Sequence, residues 1–245
     1  MNEQDPHGPE GFSRKRTIDD WLASPRVGPS PPTFRHWVIR RYAETLGLDT
    51  FIESGTCYGD TVAAVGDLFS AVYTIELAPV LYDRAVERFA GRANVHCMAG
   101  DTTVVLPDLL AGLARPALLW LDGHWSMADT ARGEKETPIV AELEAVLARP
   151  ERHVILVDDA RCFSGAMHDC DRIHEDYPSL AWVRDRALAA GYTYELADDV
   201  VRLVHASVRW PGYAAEREFT RASLRRSPTS GTRSTGSFGS AASPC

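Results

Sequence analysis

The sequence predicts a doubly wound α/β fold: a mostly parallel, seven-stranded, Rossmann-like sheet with an antiparallel terminal hairpin. Three observations carry that reading. Short apolar runs recur at Thr50–Ser54, Val72–Glu76, Val95–Ala99, Ala117–Asp122 and His153–Asp158, their starts 22, 23, 22 and 36 residues apart. Amphipathic stretches of helical length fill the gaps at Thr61–Phe69, Val80–Ala90, Thr103–Leu113 and Pro138–Ala148, and strands alternating with such helices build a parallel sheet. Tyr192–Leu196 and Val200–His205 flank only Ala197-Asp198-Asp199, a connection too short for any but an antiparallel pair.

Punctuation residues set the element ends. Pro79 suits a first helical turn and Gly91 closes that helix. Thr137 offers its hydroxyl as the cap of a helix opening at Pro138, and a helix at Ser179–Ala190 stops at Gly191. Residues 34–205 form the expected domain. The first 33 residues hold six of the 15 prolines and read as an extended arm with a short helical island at Thr17–Leu22. Residues 206–245, rich in Ser, Thr, Gly and Arg, read as a disordered tail.

Charge follows the same division. The arm, domain and tail carry net charges of -1, -11 and +4, within a whole-chain balance of 26 basic and 34 acidic side chains. So acidic a domain is poorly suited to phosphate backbones, which excludes a general nucleic-acid binder. No run approaches the roughly 18 apolar residues of a membrane span, and the start lacks an apolar signal region, so a cytoplasmic protein without a membrane partner is expected. Cys57, Cys97, Cys162, Cys170 and Cys245 are odd in number and irregularly spaced. That favours neither a zinc site nor a disulfide framework.

Ligands of open α/β sheets bind beyond the carboxyl ends of the strands. Here those ends read Glu53-Ser54-Gly55-Thr56-Cys57-Tyr58-Gly59-Asp60, Glu76, Gly100-Asp101, Asp122-Gly123-His124 and Asp158-Asp159. A row of carboxylates on one edge is costly unless a cation or a hydroxyl-rich ligand faces it. The first loop has Gly55 and Gly59 but no GxGxxG, and no phosphate-binding P-loop occurs anywhere. Glu53 would repel phosphate and welcome an ammonium, while Glu76 is placed to accept ribose hydroxyls. The implied ligand has a ribose and a cationic amino-acid part.

With those residues in place, the chain resembles the class I S-adenosylmethionine-dependent methyltransferases over about residues 36–205. FIESGTCYGDTV resembles that family's first motif, YTIEL its second and CMAGD its third. LWLDGHWSMADTARGEKETPIVAELEAVL with HVILVDDARCF resembles a bacterial group with LDGH and DDAR motifs, although Ser126-Met127-Ala128 departs from the Ser-Gly-Gly expected there. The resemblance implies that Glu53 and Gly55 face the methionine part and that Thr56, Gly59 and Asp60 also bind the cofactor. It places Glu76 on the ribose, Asp101 on the adenine amino group and Asp122 under the sulfonium.

Asp122 ends the fourth strand and Asp158-Asp159 the fifth, so adjacent strand ends would bring them about 5 Å apart. Three carboxylates make a hard oxygen site for Mg²⁺ or a similar divalent cation. The layout is similar to that of metal-dependent O-methyltransferases, in which the ion acidifies and orients a hydroxyl. His124 is a candidate general base. The reading is metal-assisted O-methylation of a small hydroxylated acceptor, a sugar or a secondary metabolite. Three alternatives stay open: a metal-free enzyme using His124, a nicotinamide-dependent oxidoreductase, and a non-catalytic S-adenosylmethionine-binding partner protein. Asp158-Asp159 as simple caps and a homodimer are also left open.

Overall fold

The computed structural model describes Trp21 and residues 29–125, 130–164 and 176–212. Seven strands form one sheet: β1 (Thr50–Ser54), β2 (Ala71–Glu76), β3 (Val95–Ala99), β4 (Leu118–Leu121), β5 (Val154–Val157), β6 (Tyr192–Ala197) and β7 (Val200–His205). Their order is β3-β2-β1-β4-β5-β7-β6. Pairing is parallel from β3 to β5, and β7 enters antiparallel between β5 and β6. The β6–β7 turn puts Asp198 and Asp199 at φ 51° and 66°. Positive φ at both central residues suits the twist of a two-residue hairpin, and aspartate tolerates it.

The expected bounds of β1, β3 and β7 match the structure residue for residue. β4 and β5 are shorter, because Ala117 and His153 precede the ladder and Asp122 and Asp158 leave it for the loops. Along β4 the side chains alternate. Leu119 and Leu121 join one core with Leu106, Leu143, Ile155 and Val183, while Leu118 and Trp120 join the other with Phe51, Val62 and Leu156. Helices α4 (Thr102–Ala111), α5 (Ile139–Leu147) and α6 (Leu180–Ala189) cover the first face. Helices α1 (Pro32–Leu46), α2 (Asp60–Val65) and α3 (Pro79–Phe89) cover the second.

Helix α1 is a correction to the expected organisation. It opens at Pro32, inside the arm read as extended, with proline in the first turn where no amide is needed. Phe34, Val38, Ile39 and Tyr42 recur at helical spacing and are buried. Gly47, in the left-handed region at φ 61°, ends it. From the island read at Thr17–Leu22, only Trp21 is among the described residues, and it lies in the same core.

The other boundary moves too. Val208 and Trp210, assigned to the tail, pack on the second core, and the Trp210 ring stacks on Tyr42 at 4.2 Å. Residues 213–245 lie outside the described part, as do Ser126, Met127 and Ala128. Among the described residues, no helix is long and apolar enough to cross a membrane.

Candidate active site

At the β1–β2 end, Glu53 is 2% exposed. Thr74 donates its hydroxyl hydrogen to Glu53 Oε2 at 2.8 Å, and the Thr56 and Thr74 hydroxyls lie 2.6 Å apart. Burial lifts the Glu53 carboxyl to about 8 against the pull of the Thr74 and Thr61 hydroxyls, with Asp122 and Glu76 adding to the rise. The group is therefore protonated at neutral pH until a cation arrives to hold its charge.

Glu76 ties the glycine loop to the sheet. Its Oε2 accepts from the Cys57 amide at 2.8 Å and its Oε1 from the Ala78 amide at 2.9 Å. Each oxygen keeps a lone pair for a ligand hydroxyl. Gly55 sits at φ +81°, where a Cβ would come 2.5 Å from the Asp122 carbonyl oxygen. Only glycine lets the β1 loop lie against the end of β4. Gly59, at φ +77°, is under similar constraint, since a Cβ there would meet the Phe89 ring at 2.8 Å.

Two residues expected at the cofactor also have local duties. Asp60 opens α2, where negative charge suits the helix dipole, and pairs with Arg88 at 2.7 Å. Asp101 caps α4, its Oδ1 accepting from the Thr103 amide at 2.8 Å and hydroxyl at 2.7 Å. The other Asp101 oxygen faces Gly133, whose Cβ position would lie 3.4 Å away.

The β4–β5 end is built from ion pairs. Asp158 does not converge with Asp122 and Asp159 on one ion site as expected, because Arg35 of α1 takes it. Arg35 Nη1 lies 2.5 Å from Asp158 Oδ2 and 3.7 Å from Asp122 Oδ2. Arg161 Nη1 lies 2.6 Å from Asp159 Oδ1 and also binds Asp199. His124 bridges the rest, with Nδ1 3.3 Å from Asp122 Oδ1 and Nε2 3.4 Å from Asp159 Oδ2. Among the described residues, the groups whose ligand atoms gather within 4.8 Å are Asp122, His124 and Asp159, and separately Asp158, Asp159 and Asp199.

Protonation follows this geometry. Burial disfavours the His124 cation, but the Asp122 hydrogen bond and the charges of Asp159, Asp122 and Asp158 outweigh it and lift the ring to about 9. A ring protonated at neutral pH has no lone pair to accept a proton, so His124 acts as a base only after giving that proton up. Burial raises Asp158, with Arg35 pulling against it. For Asp159 the order reverses: burial pushes upward, but Arg161, His124 and Arg35 hold the carboxyl low.

Sequence reasoning missed Arg35, Glu142, Tyr177 and Asp199. Arg35 and Asp158 are 123 positions apart, so nothing local pairs them. Glu142 had a signal, being a carboxylate within the buried stripe Ile139, Glu142, Leu143 and Val146 of α5. It is 1% exposed, and among the described residues no donor reaches either oxygen in full hydrogen-bond geometry, although the Thr102 and Ser54 hydroxyls come close. Burial raises it to about 7, with the Thr102 and Ser54 hydroxyls drawing it down from nearby. A cavity of about 10 Å³ lies between Glu142, Asp122, His124, Thr137, Asp158 and Tyr177.

No protein-family model and no curated protein matches the chain. Among solved structures it is similar to a putative caffeoyl-CoA O-methyltransferase from Staphylococcus aureus. The two are 12% identical with a TM-score of 0.50, over 80% of this chain and 94% of that one. It is also similar to the S-adenosylhomocysteine-bound methyltransferase PaMTH1 of Podospora anserina, again 12% identical with a TM-score of 0.50, over 84% of this chain and 100% of that one. At this identity the likeness bears on architecture: the chain has the Rossmann-like α/β fold found in these methyltransferases.

Proposed function

We propose that the chain is an S-adenosylmethionine-dependent methyltransferase acting on a hydroxyl of a small acceptor. One observation carries this reading: buried Glu53, which among the described residues pairs with no cation, sits behind the Gly55 turn at the edge where this fold binds ligands. Glu53 holds the cationic amino-acid part of the cofactor and is ionised by it. The free lone pairs of Glu76 take the ribose hydroxyls, and Asp101 offers its uncapped oxygen to the adenine amino group. Transfer breaks the sulfur–methyl bond, forms an oxygen–methyl bond and releases the hydroxyl proton. Asp122, 22% exposed at the mouth of the site, is the carboxylate that accepts it.

A divalent cation fits the chemistry of Asp122, His124 and Asp159, two hard carboxylates and an imidazole. These residues would hold it once His124 gives up its proton. When bound, such an ion acidifies a hydroxyl and orients it toward the methyl group. A second, metal-free reading is favoured by Arg35, His124 and Arg161, which already neutralise the same carboxylates. Calorimetric titration with S-adenosylhomocysteine and with NAD, each in chelator and in Mg²⁺, tests the proposal. Binding of S-adenosylhomocysteine and not NAD is expected. The reverse selectivity would make the chain an oxidoreductase.

A further inference from the structure

We infer that Glu142 is a positioning residue, holding one water in the cavity beneath the Asp122-Gly123-His124 turn and through it fixing where Asp122 and His124 sit. The Thr102 and Ser54 hydroxyls approach the Glu142 carboxyl without reaching full hydrogen-bond geometry, and a buried carboxyl so weakly compensated is costly, which leaves room for a further partner. The pocket beside it is partly open to solvent and, at about 10 Å³, has room for about one water. Its polar lining from Glu142, Asp122, His124, Thr137, Asp158 and Tyr177 supplies the two to four partners a buried water needs.

The turn itself rests on Glu142. A Cβ at Gly123 would lie 3.2 Å from Glu142 Oε1, 3.2 Å from Ser54 Oγ and 3.3 Å from Pro138 Cγ. From the other side, Thr137 donates its hydroxyl hydrogen to the Gly123 carbonyl at 3.3 Å. The turn is therefore fixed in position by α5 and its entry loop. Glu142 lies in the first turn of this nine-residue helix, where the dipole tolerates a carboxylate.

The catalytic consequence rests on the transferase reading, whereas the structural claim does not. The test is high-resolution crystallography of the full chain, of Glu142→Gln and of Glu142→Leu, with S-adenosylhomocysteine affinity measured for each. The wild type should show a water within hydrogen-bond reach of Glu142 and of Asp122 or His124. Glu142→Gln should keep water, turn and affinity. Glu142→Leu should expel the water, shift the Asp122 and His124 side chains and weaken binding about tenfold. A dry wild-type cavity overturns the inference, as does an unmoved turn in Glu142→Leu. If that variant does not fold, the wild type and Glu142→Gln decide, since loss of the water or displacement of the turn in the glutamine variant also overturns it. A water in place without any S-adenosylhomocysteine binding supports the positioning role and counts against the transferase alone.

Discussion

The two halves of the carboxyl edge use the same residue type in opposite ways. At the β1–β2 end, Glu53 and Glu76 are held by hydroxyls and backbone amides, and among the described residues neither forms an ion pair with a protein cation. At the β4–β5 end, Asp122, Asp158 and Asp159 are bound by Arg35, Arg161 and His124. Glu53 and Glu76 therefore present carboxyls whose charge a ligand can complete. The second half is largely neutralised by protein cations, and any divalent ion must compete with three of them. An acidic edge by itself does not indicate a metal; the partners of each carboxylate decide.

The largest effect is expected at the seam between the halves. Gly55→Ala places a Cβ against the Asp122 carbonyl in a left-handed conformation. It should cost about 2–4 kcal/mol in urea unfolding and abolish cofactor binding. A variant as stable as the wild type would show that the loop and the end of β4 move independently. Next is Arg35→Met, which removes a competing cation from Asp158 and Asp122. Mn²⁺ affinity, followed by electron paramagnetic resonance, should rise about tenfold, with stability falling about 3–5 kcal/mol because a buried carboxylate loses its partner. Unchanged Mn²⁺ affinity would mean that Arg35 does not occupy the ion's place.

A smaller effect follows pH. The folded state holds the His124 proton up to about 9, above the ordinary histidine value of 6.5. Its stabilising contribution is therefore complete below about pH 6.5 and is lost as pH rises through 9. The melting-temperature difference between wild type and His124→Gln should be widest near pH 6 and close by pH 10. Glu53, raised to about 8, also makes folding less favourable with rising pH, but both proteins share it and the difference cancels it. A gap that widens with pH would contradict the bridged cation.

What the sequence made legible was the periodic part. Apolar runs located β1 and β7 because buried strands leave a continuous local signature, and the run of β3 was legible although this edge strand buries none of its residues. Helix α1 was hidden by Pro29, Pro31 and Pro32, whose density suggested an extended arm, although Phe34, Val38 and Tyr42 already carried the helical stripe. The strand-end carboxylates were also readable. Their partners were not, since Arg35 meets Asp158 across 123 positions and Arg161 meets Asp199 across 38. Spacing along β4 and β5 put Asp122, Asp158 and Asp159 side by side, but only tertiary packing turned Asp158 toward α1.

The central claim is that the β1–β2 half recognises a cationic cofactor through Glu53 without help from a metal. S-adenosylmethionine titrated into the full chain in excess chelator, beside Glu53→Gln, tests it most directly. The wild type should bind in chelator, and the variant should bind at least about tenfold more weakly while melting at a similar temperature. Equal binding by the two proteins, or wild-type binding only when Mg²⁺ is restored, would contradict it.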